Sequence, residues 1–183
     1  MFFYFLLFVI TQRCIELIVA RFNEDWMKKR GGIEFGQSHY PLIVMVHSLF
    51  FIVLTVEVIV FGKGLSPYWY YLLPLFILTQ VIRIWVLSSL GRFWNTKIIV
   101  LPHAKVVTKG PYRWLKHPNY TVVALEFLIM PLLFQAYYTA LVFTLLNFFI
   151  LAIRIPVEEE ALKALTKYEE AFPMKRDEEI GKI

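Results

Sequence analysis

The stretch from Tyr120 to Ile153 is apolar almost throughout, too long to cross a bilayer once and too greasy for a soluble surface. One crossing takes about 20 residues, so this run predicts a helical hairpin. Its turn is expected near Gln135-Ala136-Tyr137-Tyr138, just after the helix-disfavouring Pro131, and both arms should be short. Three further apolar runs precede it. Phe2 to Ala20 is interrupted by Thr11, Gln12, Arg13 and Glu16; Tyr40 to Phe61 and Tyr68 to Leu87 follow. The expectation is an all-α polytopic membrane bundle of about five spans. Composition agrees: charged residues make up 18% of the chain, against about a quarter in soluble domains.

The first run has no basic residues before it and no small-residue cleavage site after it, so it reads as a retained span, not a signal peptide. Basic residues sort to one side. Arg21, Lys28, Lys29 and Arg30 follow the first run, and only Lys63 separates the second and third. Arg92, Lys97, Lys105, Lys109, Arg113 and Lys116 follow the third run with no acid among them. The positive-inside rule then puts the N-terminus outside and the C-terminus in the cytoplasm. The net charge of +5 points to an anionic leaflet, not to nucleic acid. A lone cysteine, Cys14, excludes an intrachain disulfide, and His39, His47, His103 and His117 show no metal-binding spacing. The chain is expected to be one domain, 1–183. Residues 1–90 hold three spans, 91–172 the part with chemistry and the hairpin, and 173–183 a tail.

Ionisable groups inside spans usually face the bundle interior. Arg13 and Glu16 share a helical face, and Glu57 and Arg83 are expected to pair across helices. Both sets have a plain structural reading as packing pairs. Glu126 is open between packing and function, since it lies about two turns beyond a conspicuous polar segment.

That segment runs from Gly91 to Tyr120. Lys97 to Leu101 predicts an extended stretch on the membrane surface, and Gly110-Pro111 a turn. Tyr112, Arg113, Trp114, Lys116, His117, Asn119 and Tyr120 then crowd together, with Pro118 placed to start a helix. An interfacial belt accounts for Trp114 and Arg113. It gives no reason for the order His-Pro-Asn-Tyr, so belt and function both stay open on the residues alone. At the end of the last span, Arg154 and Glu158 lie four apart on one face around Pro156, which is expected to kink the helix. The run Glu158-Glu159-Glu160 is either a solvated helix segment or a carboxylate source for hydroxyl groups such as those of ribose. Lys163 to Phe172 predicts an amphipathic surface helix. Phosphate loops, dinucleotide fingerprints and serine nucleophile elbows are absent from the sequence.

The pattern Gly-Pro-Tyr-x-Trp-x-Lys-His-Pro-x-Tyr at Gly110 to Tyr120, followed by Arg-x-x-x-Glu-Glu at Arg154 to Glu159, resembles the isoprenylcysteine carboxyl methyltransferase family. Leu162, Tyr168 and Phe172 stand at the family's usual spacing. Gln12-Arg13-x-x-Glu16-Leu17-x-x-Ala20-x-x-Asn23 and Gly91-Arg-Phe-Trp are similar to the family's bacterial alkylpyrone methyltransferases. The resemblance implies an enzyme that moves a methyl group from S-adenosylmethionine to an oxygen of a lipophilic acceptor, an isoprenylcysteine or an alkylpyrone. It implies a cofactor pocket on the cytoplasmic side, formed by Lys105, Val106, Val107, Tyr112, His117, Pro118, Asn119, Tyr120 and Glu158. Arg154 and His117 would be catalytic, and Arg154, Lys116 and Glu126 would face the acceptor. Lys116 stands where many members carry arginine, which replaces a planar fork by a point charge. The tail from Met174 to Ile183 departs from the family's usual ending. Two other readings predict different behaviour: a reductase of the sterol-reductase kind would bind NADPH, and in a non-catalytic membrane interaction protein replacing His117 or Glu158 would change stability without abolishing ligand binding.

Overall fold

The structure is a computed structural model and describes residues 1–172. The tail 173–183, with its departure from the family ending, lies outside the described residues. Helix α1 (Phe2–Lys28) is followed by a short strand β1 (Ile33–Phe35), helices α2 (Tyr40–Val60) and α3 (Trp69–Leu90), and a 3-10 turn at Gly91–Phe93. Then come strand β2 (Ile98–Val100), a second 3-10 turn at Gly110–Arg113, and helices α4 (Pro118–Leu133), α5 (Tyr137–Leu165) and α6 (Tyr168–Ala171). Among the described residues, α1, α2, α3 and α5 are long and apolar enough to cross a bilayer, and α4 is a shorter apolar helix. Helices dominate because hydrocarbon offers no partner to an unpaired N–H or C=O, and a helix pairs both within itself.

The hairpin forms where the apolar run requires it, but its arms are unequal. The turn is Phe134–Ala136, where Gln135 takes a φ of 56° and the Ala136 N–H donates to the Pro131 carbonyl at 2.9 Å. Helix α4 has 16 residues, as expected for a short arm; α5 has 29 and runs unbroken through Pro156. Residues past Arg154 therefore extend α5, and the predicted surface helix Lys163–Phe172 is replaced by the end of α5, a break at Thr166 and the single turn α6. The physical reason is packing: β2 is buried at all three positions, and Ile98 and Val100 cluster with Ala161 under Phe35, Val157 and Leu165. The Lys97–Leu101 stretch is thus interior and not laid on a membrane surface. Its partner is β1, antiparallel, with Ile33 opposite Val100 and Phe35 opposite Ile98. Lys97 bridges Glu24 of α1 at 2.7 Å and Glu34 of β1 at 3.5 Å, and the Glu24 carboxylate holds the Lys97 ammonium above its ordinary value.

The opposite end of the bundle is closed by aromatic packing. Phe50 sits against Phe127 and Phe143, with ring centroids 4.7 and 5.4 Å away, and Phe2 meets Phe134 edge-on at 4.9 Å. The loop between α2 and α3 ties to the hairpin turn through Ser66 N–H to Leu133 O at 2.9 Å. Glu57 does not pair with Arg83. Its carboxylate accepts from the Thr139 N–H at 2.7 Å, the Thr139 hydroxyl at 2.6 Å and the Tyr138 N–H at 3.2 Å. The first turn of α5 leaves N–H groups with no intrahelical acceptor, and α5 has no capping side chain of its own at Ala136. A carboxylate from α2 does that work and complements the helix dipole.

Arg83 instead joins a buried four-charge cluster. It donates through Nε and Nη2 to Glu16, both at 2.6 Å, and through Nη1 to Glu126 at 2.9 Å. Arg13 bridges the same two acids at 2.7 Å each, and Gln80 adds a bond to Glu126 at 2.8 Å. This fastens α1, α3 and α4 together inside the membrane. Arg83→Met strands two carboxylates with one cation between them, and is expected to cost about 3–5 kcal/mol. Glu57→Ala leaves the α5 N–H groups unpaired, at about 1–3 kcal/mol. Thermal unfolding in detergent measures both, and Arg83→Met should be the more damaging.

Candidate active site

The polar segment is built onto the ends of the spans. Asn23 of α1 donates to the Trp94 carbonyl at 2.8 Å, and Asn95 donates back to the Ala20 carbonyl at 3.0 Å, so α1 pins the loop that follows α3. Gly110 has a φ of 60°, and a Cβ there would collide with the Ser89 hydroxyl of α3. Glycine is required for both reasons, and it seats the Pro111-Tyr112 turn against α3. Pro118 is fully buried at the first position of α4, where its missing N–H costs nothing. Trp114 is 69% exposed with its ring 5.8 Å from Trp85, the interfacial-belt reading.

Two cavities meet here. The first, about 140 Å³, opens at the basic end of the bundle. Lys105, Val106, Val107, Tyr112, Lys116, His117, Asn119, Tyr120, Arg154 and Glu158 line it, with Tyr168 and Phe172 closing one side. The second, about 320 Å³, lies among the spans, walled by apolar side chains of α1, α2, α4 and α5 and by Arg13, Glu16, Arg83 and Glu126 of the charge cluster. Trp94, Asn95, Asn119, Tyr120 and Arg154 line both.

At the junction, Arg154 Nε donates to the Tyr120 hydroxyl at 2.8 Å, and that hydroxyl donates to Glu158. Arg154 Nη2 donates to the Thr96 carbonyl at 2.5 Å, and Thr96 Oγ1 lies 3.1 Å from the Tyr40 hydroxyl. The guanidinium is thus held on two sides with donors to spare. The Asn119 Oδ1 and Trp94 Nε1 atoms are buried with no hydrogen-bond partner. An unpaired acceptor and an unpaired donor beside a cavity are the groups a polar ligand would satisfy.

Of the expected cofactor residues, every one but Pro118 lines the first cavity; Pro118 sets the start of α4 instead. His117 and Lys116 face only that cavity. His117 Nε2 lies 3.0 Å from Glu159, its ring stacks on Tyr120, and Lys116 Nζ is 3.9 Å from the same glutamate. Lys116, expected to face the acceptor, lines the first cavity and not the second. Glu126 does line that cavity, but its carboxylate is shared among Arg13, Arg83 and Gln80. Tyr40, His47, Thr96 and Asn147 were missed. Asn147 is an amide amid an apolar run, the kind of intramembrane polar residue that marks a site.

Known proteins similar to this chain point in the same direction. The model of the isoprenylcysteine carboxyl methyltransferase (ICMT) family matches residues 72–164. The chain belongs to the isoprenylcysteine carboxyl methyltransferase family. The match spans α3, the polar segment and the hairpin through Arg154 and Glu158, so this member is a membrane methyltransferase. It is 48% identical to the uncharacterised protein YpbQ of Bacillus subtilis, over 89% of this chain and 97% of that one. It is 27% identical to an uncharacterised Haemophilus influenzae protein over 86% of this chain and 92% of that one. Protein-S-isoprenylcysteine O-methyltransferase B of Arabidopsis thaliana is 29% identical over 69% of this chain and 64% of that one. No solved structure matches.

Burial, with the Glu158 charge next, pushes the Tyr112 phenol well above its ordinary value, and burial beside Glu159 does the same for Tyr168. Both stay neutral donors at physiological pH. A raised folded pKa makes the protein's stability complete below about pH 10 and lost as pH climbs through it. Thermal unfolding between pH 8 and 11 should fall above pH 10, and Tyr112→Phe should lessen that fall.

Proposed function

We propose that this family member transfers the methyl group of S-adenosylmethionine to an oxygen of a lipophilic acceptor, a carboxylate or an acidic hydroxyl. The observation that carries this reading is the meeting of a polar-rimmed cavity with an apolar one at Arg154, Tyr120 and Asn119. A water-soluble donor and a membrane-soluble acceptor need separate chambers and one point of contact.

S-adenosylmethionine, when bound, supplies an electrophilic methyl group carried on a sulfonium cation. The residues of the first cavity suit such a ligand. Glu158 offers a carboxylate to ribose-type hydroxyls, Asn119 an unpaired carbonyl oxygen, and Tyr112 and Tyr120 the aromatic faces that attract a sulfonium. His117 and Glu159 act as positioning residues: their bond fixes the turn that carries Asn119 and Tyr120.

On the acceptor side, Arg154 holds the oxygen. Its spare N–H donors favour an anionic oxygen, and Tyr120 and Thr96 keep the guanidinium from swinging away. A carboxylate is ionised at neutral pH and an acidic enol largely so. No general base is then required, which fits a Glu126 occupied by arginines and a His117 turned to the other cavity. Positioning carries the catalysis. Isoprenylcysteine and alkylpyrone acceptors both satisfy this description. The basic end faces the cytoplasm, where the cofactor is found, with the N-terminus outside.

The test is transfer of labelled methyl from S-adenosylmethionine to a farnesylcysteine analogue and to a long-chain hydroxypyrone, with protein in nanodiscs. Arg154→Gln is expected to lower kcat about 100-fold. Glu158→Ala should chiefly weaken cofactor affinity, read by calorimetry. Folded protein that binds no S-adenosylmethionine at all would refute the reading.

A further inference from the structure

The chemistry at Arg154 needs nothing polar deeper in the membrane, yet the second cavity is polar at a deeper level. Arg13 of α1, His47 of α2 and Asn147 of α5 all line it. Asn147 precedes Arg154 by seven positions of α5, and His47 follows Tyr40 by seven positions of α2. At 1.5 Å per residue both lie roughly 10 Å further into the membrane than the junction. Arg13 likewise precedes Ala20, whose carbonyl holds Asn95 at the junction, by seven positions of α1, so three helices bring polar side chains to one depth of one cavity.

Each of the three has hydrogen-bonding capacity left over. Arg13 donates to Glu16 and Glu126, and a guanidinium has N–H groups beyond those two. His47 Nδ1 lies 2.8 Å from the Ile43 carbonyl. A carbonyl cannot donate, so Nδ1 carries the hydrogen and Nε2 of the neutral ring is left as an acceptor. Asn147 is 3% exposed, and no described residue hydrogen-bonds its amide. Hydrocarbon satisfies none of these groups. The charge around them is already balanced, since Arg13 and Arg83 face Glu16 and Glu126. The site calls for a neutral polar partner, not another ion.

We propose that Arg13, His47 and Asn147 form a second polar subsite, which receives a neutral carbonyl or hydroxyl of the lipophilic acceptor inboard of the oxygen that is methylated. This rests on the acceptor occupying the second cavity, as in the methyl-transfer reading. Arg13 and the Asn147 amide donate to a carbonyl; His47 Nε2 accepts from a hydroxyl. The preferred acceptor carries two oxygen functions before its hydrocarbon tail, and one whose tail begins directly behind a single head group binds less well.

A matched pair tests this: a long-chain fatty acid carrying a hydroxyl about 10 Å along the chain from its carboxylate, the depth that separates the subsite from the junction, and the unsubstituted fatty acid of the same length. Wild type in nanodiscs is expected to favour the hydroxy acid by about tenfold or more in kcat/KM, the value of one good hydrogen bond. Asn147→Leu and His47→Phe keep volume and remove the polar atoms. Each should raise the hydroxy-acid KM about tenfold with kcat little changed, while calorimetric affinity for S-adenosylmethionine stays at the wild-type value and certifies folding. A wild-type preference for the unsubstituted acid, or a preference untouched by both variants, overturns the proposal. If neither acid is methylated, quenching of tryptophan fluorescence by each one decides. Hydroxy-acid binding weakened in the variants supports the subsite; equal binding, or none, overturns it. Failure of the methyl-transfer reading shows separately, as loss of cofactor binding in wild-type protein.

Discussion

Two arginines and two glutamates buried in hydrocarbon hold the bundle in one arrangement. Arg13 and Arg83 lie between Glu16 and Glu126 at 2.6–2.9 Å. No member can leave without stranding a charge within the spans. Apolar side chains provide little preference between bundle and lipid, because lipid tails are as apolar as leucine. The ion cluster supplies direction that greasy packing lacks. It brings α1 to α3 and α4, and in doing so forms one wall of the cavity among the spans.

The candidate site depends on that wall and on the unequal hairpin. Because α5 continues past its apolar run to pack on the small sheet, Arg154 and Glu158 lie on one continuous helix. Arg154 can then touch the loop carrying Thr96, the first turn of α4 through Tyr120, and both cavities at once. In the proposed reaction two substrates of different solubility meet at one point, and the group placed there is a guanidinium held by a hydroxyl and a carbonyl.

Much of this was legible in the chain. Apolar runs of bilayer length announce spans because lipid thickness and the rise per residue of a helix together set how many apolar residues a crossing needs. The Gly110–Tyr120 and Arg154–Glu159 patterns announced the family because their chemistry is local: a glycine at positive φ, a proline opening a helix, an arginine and a glutamate one turn apart. All the cofactor-side residues so indicated, apart from Pro118, line one cavity. Partner choice was not legible. Glu57 and Arg83 looked like a pair by charge and position, yet Glu57 caps α5 and Arg83 serves Glu16 and Glu126. Opposite charges on separate helices leave several pairings open, and only the rotation of each helix about its axis selects one.

Sequence alone determined that the chain must live in a membrane, roughly where it crosses, which end is basic, and which family it belongs to. These follow from composition and from contacts within a few residues. Tertiary structure decided the pairing of β1 with β2, the length of α5 beyond its span, and the depth at which Arg13, His47 and Asn147 converge. Each of those joins residues far apart in the chain. A contact of that kind is a property of how helices are turned and spaced, and no single segment encodes it.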